Sequence, residues 1–195
     1  KRCIRDYFDS SFDQILINDK ETLKKSREIV KQFMPSSLKS VKNYIDKKPL
    51  FASFGLEKKI ISINNPTVNL KSGGYLVINQ TEALVSIDIN SGKYTKQRNI
   101  EDTAFKTNLE ASEEISKQLR IRDLAGLIVI DFIDMNINSN NIKIERKIKE
   151  LFFKDRARVQ ITKISQFGLM EISRQRIGQS IYETFYNKCY CCGGS

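Results

Sequence analysis

Two aspartates and one asparagine lie where predicted β-strands end. Asp88 and Asn90 share one face of the predicted strand Ala83–Asn90, because side chains two residues apart point the same way. Asp131 follows the apolar run Leu127–Ile130. Sites in open α/β sheets lie at the carboxyl ends of strands. If the two strands are neighbours, both aspartates can therefore hold one Mg²⁺, and Asn90 can orient a phosphate or a water molecule.

The same residues admit a purely structural interpretation. The segment Leu127–Ile133 is predicted to be a central strand covered on both faces, where an ionised Asp131 needs a partner. That partner is either an arginine or lysine, or a cation held by oxygen ligands. Asp134 shares this strand end but is predicted to alternate onto the other face, in a structural role. Residue types alone leave both alternatives open.

The chain contains no histidine among its 195 residues, which excludes several kinds of chemistry. Neither a Ser-His-Asp triad nor a histidine general base can operate, and no zinc site with histidine ligands can form. Catalysis must therefore rest on carboxylates, cationic side chains, hydroxyls, thiols or a metal held by oxygen. Two aspartates with Mg²⁺ satisfy this requirement.

The charge favours an anionic partner such as RNA. Lys and Arg number 33 against 23 Asp and Glu, a formal net charge of +10. We predict that Lys93, Arg156 and Arg158 bind the RNA backbone beside the metal; the alternative is solvated surface charge.

No apolar run approaches the roughly 20 residues of a membrane span, and no secretory signal is visible. Chain ends without an initiating Met suggest a fragment of a longer protein.

Three cysteines lie close to the end of the chain. Cys189-x-x-Cys192, followed by two glycines, is typical of half a zinc site, with Cys191 as a possible competing ligand. A tetrahedral site needs four ligands, so the other two must come from another chain or from beyond Ser195. A redox pair or an unused thiol cluster is the alternative.

Strands and helices alternate along the chain, which predicts an α/β fold with a mixed sheet. The predicted helices are Lys20–Met34, Glu101–Asp123 and Asn141–Lys154. The turn Asn64–Pro66 marks a predicted domain boundary.

Several longer motifs resemble the catalytic core of the ribonuclease E/G family. They comprise Ser72–Asn79, Thr81–Ser91, Asn108–Ala111, Gln118–Leu124, Gly126–Met135, Asp155–Arg158, Phe167–Arg176 and the terminal Cys-x-x-Cys-Gly. The resemblance is dense over residues 70–195 and looser before them. It departs from the family at Tyr190, where proline usually follows the first cysteine.

The resemblance implies an architecture and a site. Residues 1–63 would be part of an RNase H-like subdomain, 64–184 a DNase I-like catalytic subdomain, and 185–195 the start of a zinc link. Asp88 and Asp131 would bind the catalytic Mg²⁺, with Asn90 assisting at the scissile phosphate. Cys189 and Cys192 would donate half of a structural Zn²⁺ site shared by two protomers.

The resemblance also implies a function. We expect a Mg²⁺-dependent endoribonuclease that cuts single-stranded, A/U-rich RNA in processing and decay, preferring 5′-monophosphorylated substrates and leaving 5′-phosphate and 3′-hydroxyl ends. The alternative is a non-catalytic RNA-binding scaffold. The expected assembly is a homodimer, or a homotetramer of paired dimers, in a bacterial cytoplasm or a plastid stroma. The family's S1 domain and 5′-monophosphate sensor would precede this region.

Overall fold

The chain divides into two units. The computed structural model describes residues 4, 8, 12–92, 100–153, 155–178 and 191. The units are Lys1–Ile60 and Ile61–Ser195. The predicted boundary lies three residues further along the chain. The assignment of the units to RNase H-like and DNase I-like subdomains stays a prediction.

A short parallel strand pair organises the first unit. Strands β1 (Ile15–Ile17) and β2 (Val41–Asn43) are joined by helix α1 (Lys20–Phe33) and a 3₁₀ helix (Pro35–Ser40). Asp19 caps α1, because its carboxylate accepts a 2.7 Å hydrogen bond from the Thr22 amide. Val30 and Val41 are buried together in a small core. Two short helices follow, α2 (Leu50–Ser53) and α3 (Leu56–Ser62).

A six-stranded mixed sheet forms the centre of the second unit, which confirms the α/β prediction. Its strands are β3 (Thr67–Asn69), β4 (Tyr75–Gln80), β5 (Val85–Asn90), β6 (Gly126–Asp131), β7 (Val159–Ile161) and β8 (Leu169–Arg174), in the spatial order β3-β4-β5-β6-β8-β7. Only β5 and β6 pair in parallel. Their connection carries helix α4 (Ile100–Ile121), as parallel neighbours require. Helix α5 (Asn138–Phe153) follows β6.

The two long helices pack on one face of this sheet. Alternate side chains of β5 and β6 form a core with the apolar stripes of both helices: Val85, Ile87, Ile89, Ile128, Ile130, Ala111, Ile115, Leu119, Ile144 and Ile148. The opposite face carries Ser86, Asp88, Val129 and Asp131.

The prediction that β6 is covered on both faces is wrong for the described residues. Leu127 points to the opposite face and is 44% exposed, while its neighbour Ile128 is fully buried. The strand also ends at Asp131 rather than at Ile133. The apolar run therefore belongs to a strand with one covered and one uncovered face, and Leu127 and Val129 lie on the uncovered face.

A glycine turn packs against the end of β5. An added Cβ on Gly74 would lie 2.6 Å from the Asn90 carbonyl oxygen, so only glycine permits this approach. The Glu110 carboxylate on α4 accepts hydrogen bonds from the backbone amides of Lys71 and Ser72. The turn is thus anchored to α4 and supports the residues that follow Asp88.

None of the helices in the described part of the chain is long and apolar enough to cross a membrane.

Candidate functional site

The sheet register brings the two predicted aspartates together. Asp88 is the direct neighbour of Asp131 across the parallel β5–β6 pair. The Asn90 side chain donates a 2.8 Å hydrogen bond from Nδ2 to Oδ2 of Asp88. Because both strands end here, the carboxylates lie at the carboxyl edge of the sheet, where α/β folds place their sites.

Both carboxylates are exposed rather than buried in an apolar strand. Partial burial raises the pKa of Asp131, and the negative charges of Asp88 and Asp134 raise it further. Within the described residues neither Asp88 nor Asp131 forms an ion pair with a lysine or arginine. Like charges side by side at one strand edge attract cations, which is the property that the metal interpretation requires.

Asp134 lies closer to this site than its predicted alternation suggests. Strand β6 ends at Asp131, so the strict alternation of a strand no longer applies to the residues that follow it. A Cβ added to Gly168 would lie 3.2 Å from Oδ1 of Asp134 and 4.0 Å from Oδ1 of Asp131. The prediction that Asp134 points away from the site is therefore wrong. Where a strand ends is set by tertiary hydrogen bonds, which residue types do not reveal.

Two residues on helix α4 position the segment that follows Asp131. The fully buried Asn108 donates from Nδ2 to the Ile133 carbonyl oxygen at 2.8 Å, and its Oδ1 accepts from the Ile133 amide at 3.1 Å. Glu101 accepts from the amides of Asn136 and Ile137, and these hydrogen bonds help to lower its pKa. Sequence reasoning missed both residues.

For Asn108 a sequence signal exists. It falls on the same helical stripe as Ala104, Ala111 and Ile115, where a buried amide must find hydrogen-bond partners. An asparagine on the buried side of a helix therefore indicates a hydrogen bond to another segment of the fold.

The predicted RNA-binding arginines do not lie beside the carboxylates. Asp131 pairs with Leu169 at one end of β8, whereas the Arg158 carbonyl oxygen accepts a hydrogen bond from the Gln175 amide beyond the other end. Five residues of strand separate the two ends, roughly 17 Å at about 3.4 Å per residue. Arg156 and Arg158 are exposed, and Lys93 lies outside the described residues. Their role in binding RNA stays a prediction, at a distance from the aspartates.

The predicted zinc ligands cannot be placed. Cys189 and Cys192 lie outside the described residues, and the described Cys191 is an exposed free thiol. Across the part of the chain that the structure describes, no group of three or more His, Cys, Asp or Glu side chains is arranged to hold a metal ion. Two carboxylates nevertheless suit Mg²⁺, which usually keeps several water ligands and takes only one or two carboxylates from a protein.

Comparison with known proteins identifies the family. The model of the Ribonuclease E/G family matches residues 1–177, a range that includes Asp88, Asn90 and Asp131. The chain belongs to the ribonuclease E/G family. Its relatives include ribonuclease E of Haemophilus influenzae, 45% identical over 194 residues, and of Escherichia coli K12, 44% identical over 195 residues. Ribonuclease G of Escherichia coli K12 is 37% identical over 194 residues.

This ribonuclease E/G chain matches only part of each relative. All of the chain aligns in each of the three comparisons, but it covers 21% and 18% of the two ribonuclease E proteins and 40% of ribonuclease G. The similarity therefore concerns one segment of longer proteins.

Proposed function

We propose that this chain carries the reacting carboxylates of an endoribonuclease. Membership of the ribonuclease E/G family supports this function, and so does its similarity to ribonucleases E and G. The single observation that carries the proposal is the direct pairing of Asp88 with Asp131, with Asn90 hydrogen-bonded to Asp88. The relatives named above are bacterial, in accord with the proposal that it works in a bacterial cytoplasm, with a plastid stroma as the alternative.

The proposed substrate is single-stranded, A/U-rich RNA, preferably with a 5′-monophosphate, and the proposed role is RNA processing and decay. A net charge of +10 suits a polyanionic substrate. In the reaction, water adds to phosphorus and the bond from phosphorus to the 3′ oxygen breaks. The attacking water gives up a proton to solvent or to a nearby carboxylate, and the leaving 3′ oxygen takes a proton from solvent, so the products are a 5′-phosphate and a 3′-hydroxyl.

Asp88 and Asp131 would hold the Mg²⁺ ion. When bound there, the ion would stabilise negative charge on the phosphoryl oxygens and lower the pKa of bound water. The chain's own residues prepare this edge. Asn90 fixes the Asp88 carboxylate through a hydrogen bond, and Asn108 fixes the backbone that follows Asp131. Rigid positioning of this kind is a large part of catalysis at phosphates.

Metal removal tests the proposal. The intact protein is expected to cleave a 5′-monophosphorylated A/U-rich oligonucleotide with Mg²⁺, and to stop when EDTA is added, because the aspartates alone leave the phosphate charge unneutralised. Restoring Mg²⁺ should restore cleavage. Gel analysis of end-labelled RNA would show the products. RNA binding without cleavage in Mg²⁺ would contradict the proposal and favour the scaffold alternative.

The zinc site and the assembly form a separate proposal. Cys189 and Cys192 would give two thiolates from each of two protomers, making a four-thiolate Zn²⁺ site and a homodimer that can pair into a tetramer. The double variant Cys189→Ser/Cys192→Ser should lose zinc and fall to a monomer in analytical ultracentrifugation, whereas Cys191→Ser should do neither. One zinc per two chains in the double variant would refute the shared site.

A further inference from the structure

A tight turn between β7 and β8 carries an exposed phenylalanine, Phe167, directly before the glycine that approaches the carboxylates of Asp131 and Asp134. The Ser165 hydroxyl accepts hydrogen bonds from the Phe167 amide at 3.2 Å and the Leu169 amide at 3.3 Å. The Ser165 amide donates to the Leu169 carbonyl oxygen, and the Gly168 amide donates back to Ser165. With this many internal bonds, the backbone of Phe167 is fixed rather than free to collapse onto the core.

The turn is docked directly on the end of β6. Gly168 adopts a positive φ of 77° and accepts the Phe132 amide at 3.1 Å. A Cβ at Gly168 would lie 3.2 Å from the Asp134 carboxylate and 4.0 Å from that of Asp131. Phe167 directly precedes Gly168, and consecutive Cα atoms are about 3.8 Å apart. The Phe167 side chain therefore begins one residue away from the glycine that approaches both carboxylates.

The Phe167 side chain is left largely in water. It is 72% exposed, although a phenylalanine gains about 1.5–3 kcal/mol when it is fully buried. Its exposure is imposed by the turn, because the core of the second unit is already formed by other side chains. An aromatic ring held in solvent beside a candidate phosphate-cleaving edge suits a ligand with a flat apolar face.

We propose that Phe167 is a stacking platform for one nucleobase of the RNA strand, next to the phosphate that lies at Asp88 and Asp131. This rests on the proposed function and adds a binding residue to the same site. Stacking of a base on an aromatic side chain contributes about 1–3 kcal/mol and tolerates any base. A base in a duplex has both faces covered by its neighbours, so this contact favours single-stranded RNA. Phe167 thereby helps to position the strand and leaves the chemistry to the aspartates.

A scan with abasic nucleotides tests the contact. The intact protein is given oligonucleotides with one cleavage position, each lacking the base at a different flanking nucleotide. In the wild type, one abasic position should lower kcat/KM by about 5-fold to 150-fold, the range that 1–3 kcal/mol predicts. Phe167→Ala should cut the oligonucleotide that keeps all its bases more slowly by the same factor. Removing the base at that same position should then have no further effect on this variant.

Two further variants serve as controls. Phe167→Trp keeps a stacking surface and should restore both the rate and the sensitivity to the abasic position. Phe153→Ala removes another phenylalanine, 90% exposed at the end of α5, and should behave as wild type. Thermal unfolding of Phe167→Ala should be unchanged, because little apolar contact is removed.

The outcomes separate this inference from the function itself. If the wild type and Phe167→Ala cleave alike, or if Phe167→Ala keeps its sensitivity to every abasic position, the stacking role is refuted while the nuclease stands. A change of assembly mass in Phe167→Ala with unchanged abasic sensitivity would assign the ring to a protein contact and equally refute stacking. If the wild type fails to cleave in Mg²⁺, the proposed function itself fails.

Discussion

Asp131→Asn is expected to lower the cleavage rate of the intact protein by about 10²-fold to 10³-fold, the loss typical of removing one preorganised electrostatic group from a site. The amide keeps the shape of the carboxylate but cannot supply the negative charge that holds a cation opposite Asp88. The measurement is single-turnover cleavage of a 5′-monophosphorylated oligonucleotide in Mg²⁺. Asp88→Asn should give a loss of similar size.

Stability separates this effect from unfolding. Because burial and two neighbouring carboxylates raise the pKa of Asp131, its charged form is less stable in the fold than in the unfolded chain. A neutral side chain removes this penalty, so Asp131→Asn should unfold at an equal or higher denaturant concentration than wild type at pH 7. A loss of activity accompanied by lower stability would point to a damaged fold instead.

Glu171→Gln provides a matched control. Glu171 is an exposed carboxylate on β8, paired with Val129 and therefore on the same face as Asp131. If the general negative charge of this face mattered, both variants would lose activity alike. We expect only the aspartate variants to lose it. Full activity in Asp131→Asn would remove the central support for the proposed site.

The alternation of side chains was sufficient to predict the essential part of the site. Asp88 and Asn90 share a face because the side chains of a strand repeat every two residues. Asp131 could be placed near a strand end because the apolar run Leu127–Ile130 stops there, although the strand is predicted to continue to Ile133. Whether the two strands are neighbours stayed a condition of the prediction: the helix between them permits a parallel pair, and the sheet register shows that they form one.

Other features depend on tertiary partners that the sequence does not name. Register decides that Arg158 lies at the far end of β8 from Asp131, and no local pattern fixes which residues pair. Coverage of the sheet decides that Leu127 is exposed although its run looks fully apolar. Asp134 approaches Gly168, a contact between segments more than thirty residues apart that no local pattern indicates.

Arg174 also depends on tertiary partners. It stands two residues before Arg176, a spacing that puts both on one face of a strand, and its side chain is only 3% exposed. Its guanidinium donates to Asp155 at 3.0 Å, to Asp123 at 3.0 Å and to the Leu124 carbonyl oxygen at 2.8 Å. It therefore joins β8 to the loop before β6 and to the segment after α5.

Arg174→Met is expected to lower the free energy of unfolding by about 3–5 kcal/mol. The Asp155 side chain is also only 3% exposed, so removing its partner leaves a buried charge without compensation. Denaturant unfolding of the intact protein measures the loss. Arg158→Met removes an exposed arginine from the neighbouring strand end and should change stability by no more than about 0.5 kcal/mol. Equal stability of the two variants would refute the structural role of Arg174.

The pH dependence of this loss of stability is expected to show that the buried Asp155 charge causes it. Burial raises the pKa of Asp155, but hydrogen bonds from Arg174 and the Ala157 amide outweigh it, so the net pKa is lowered. A lowered pKa gives stability that is present above the unfolded value, about 3.9, and is lost as the pH falls through the folded value.

Arg174→Met removes the largest cause that lowers the pKa of Asp155, so the effect of burial, which raises this pKa, is less opposed. The stability deficit of this variant should therefore be greatest near neutral pH and should shrink as the pH falls below about 4, where the wild type loses the same contribution. A deficit that stays constant with pH would assign the loss to packing around the arginine stem rather than to its charge.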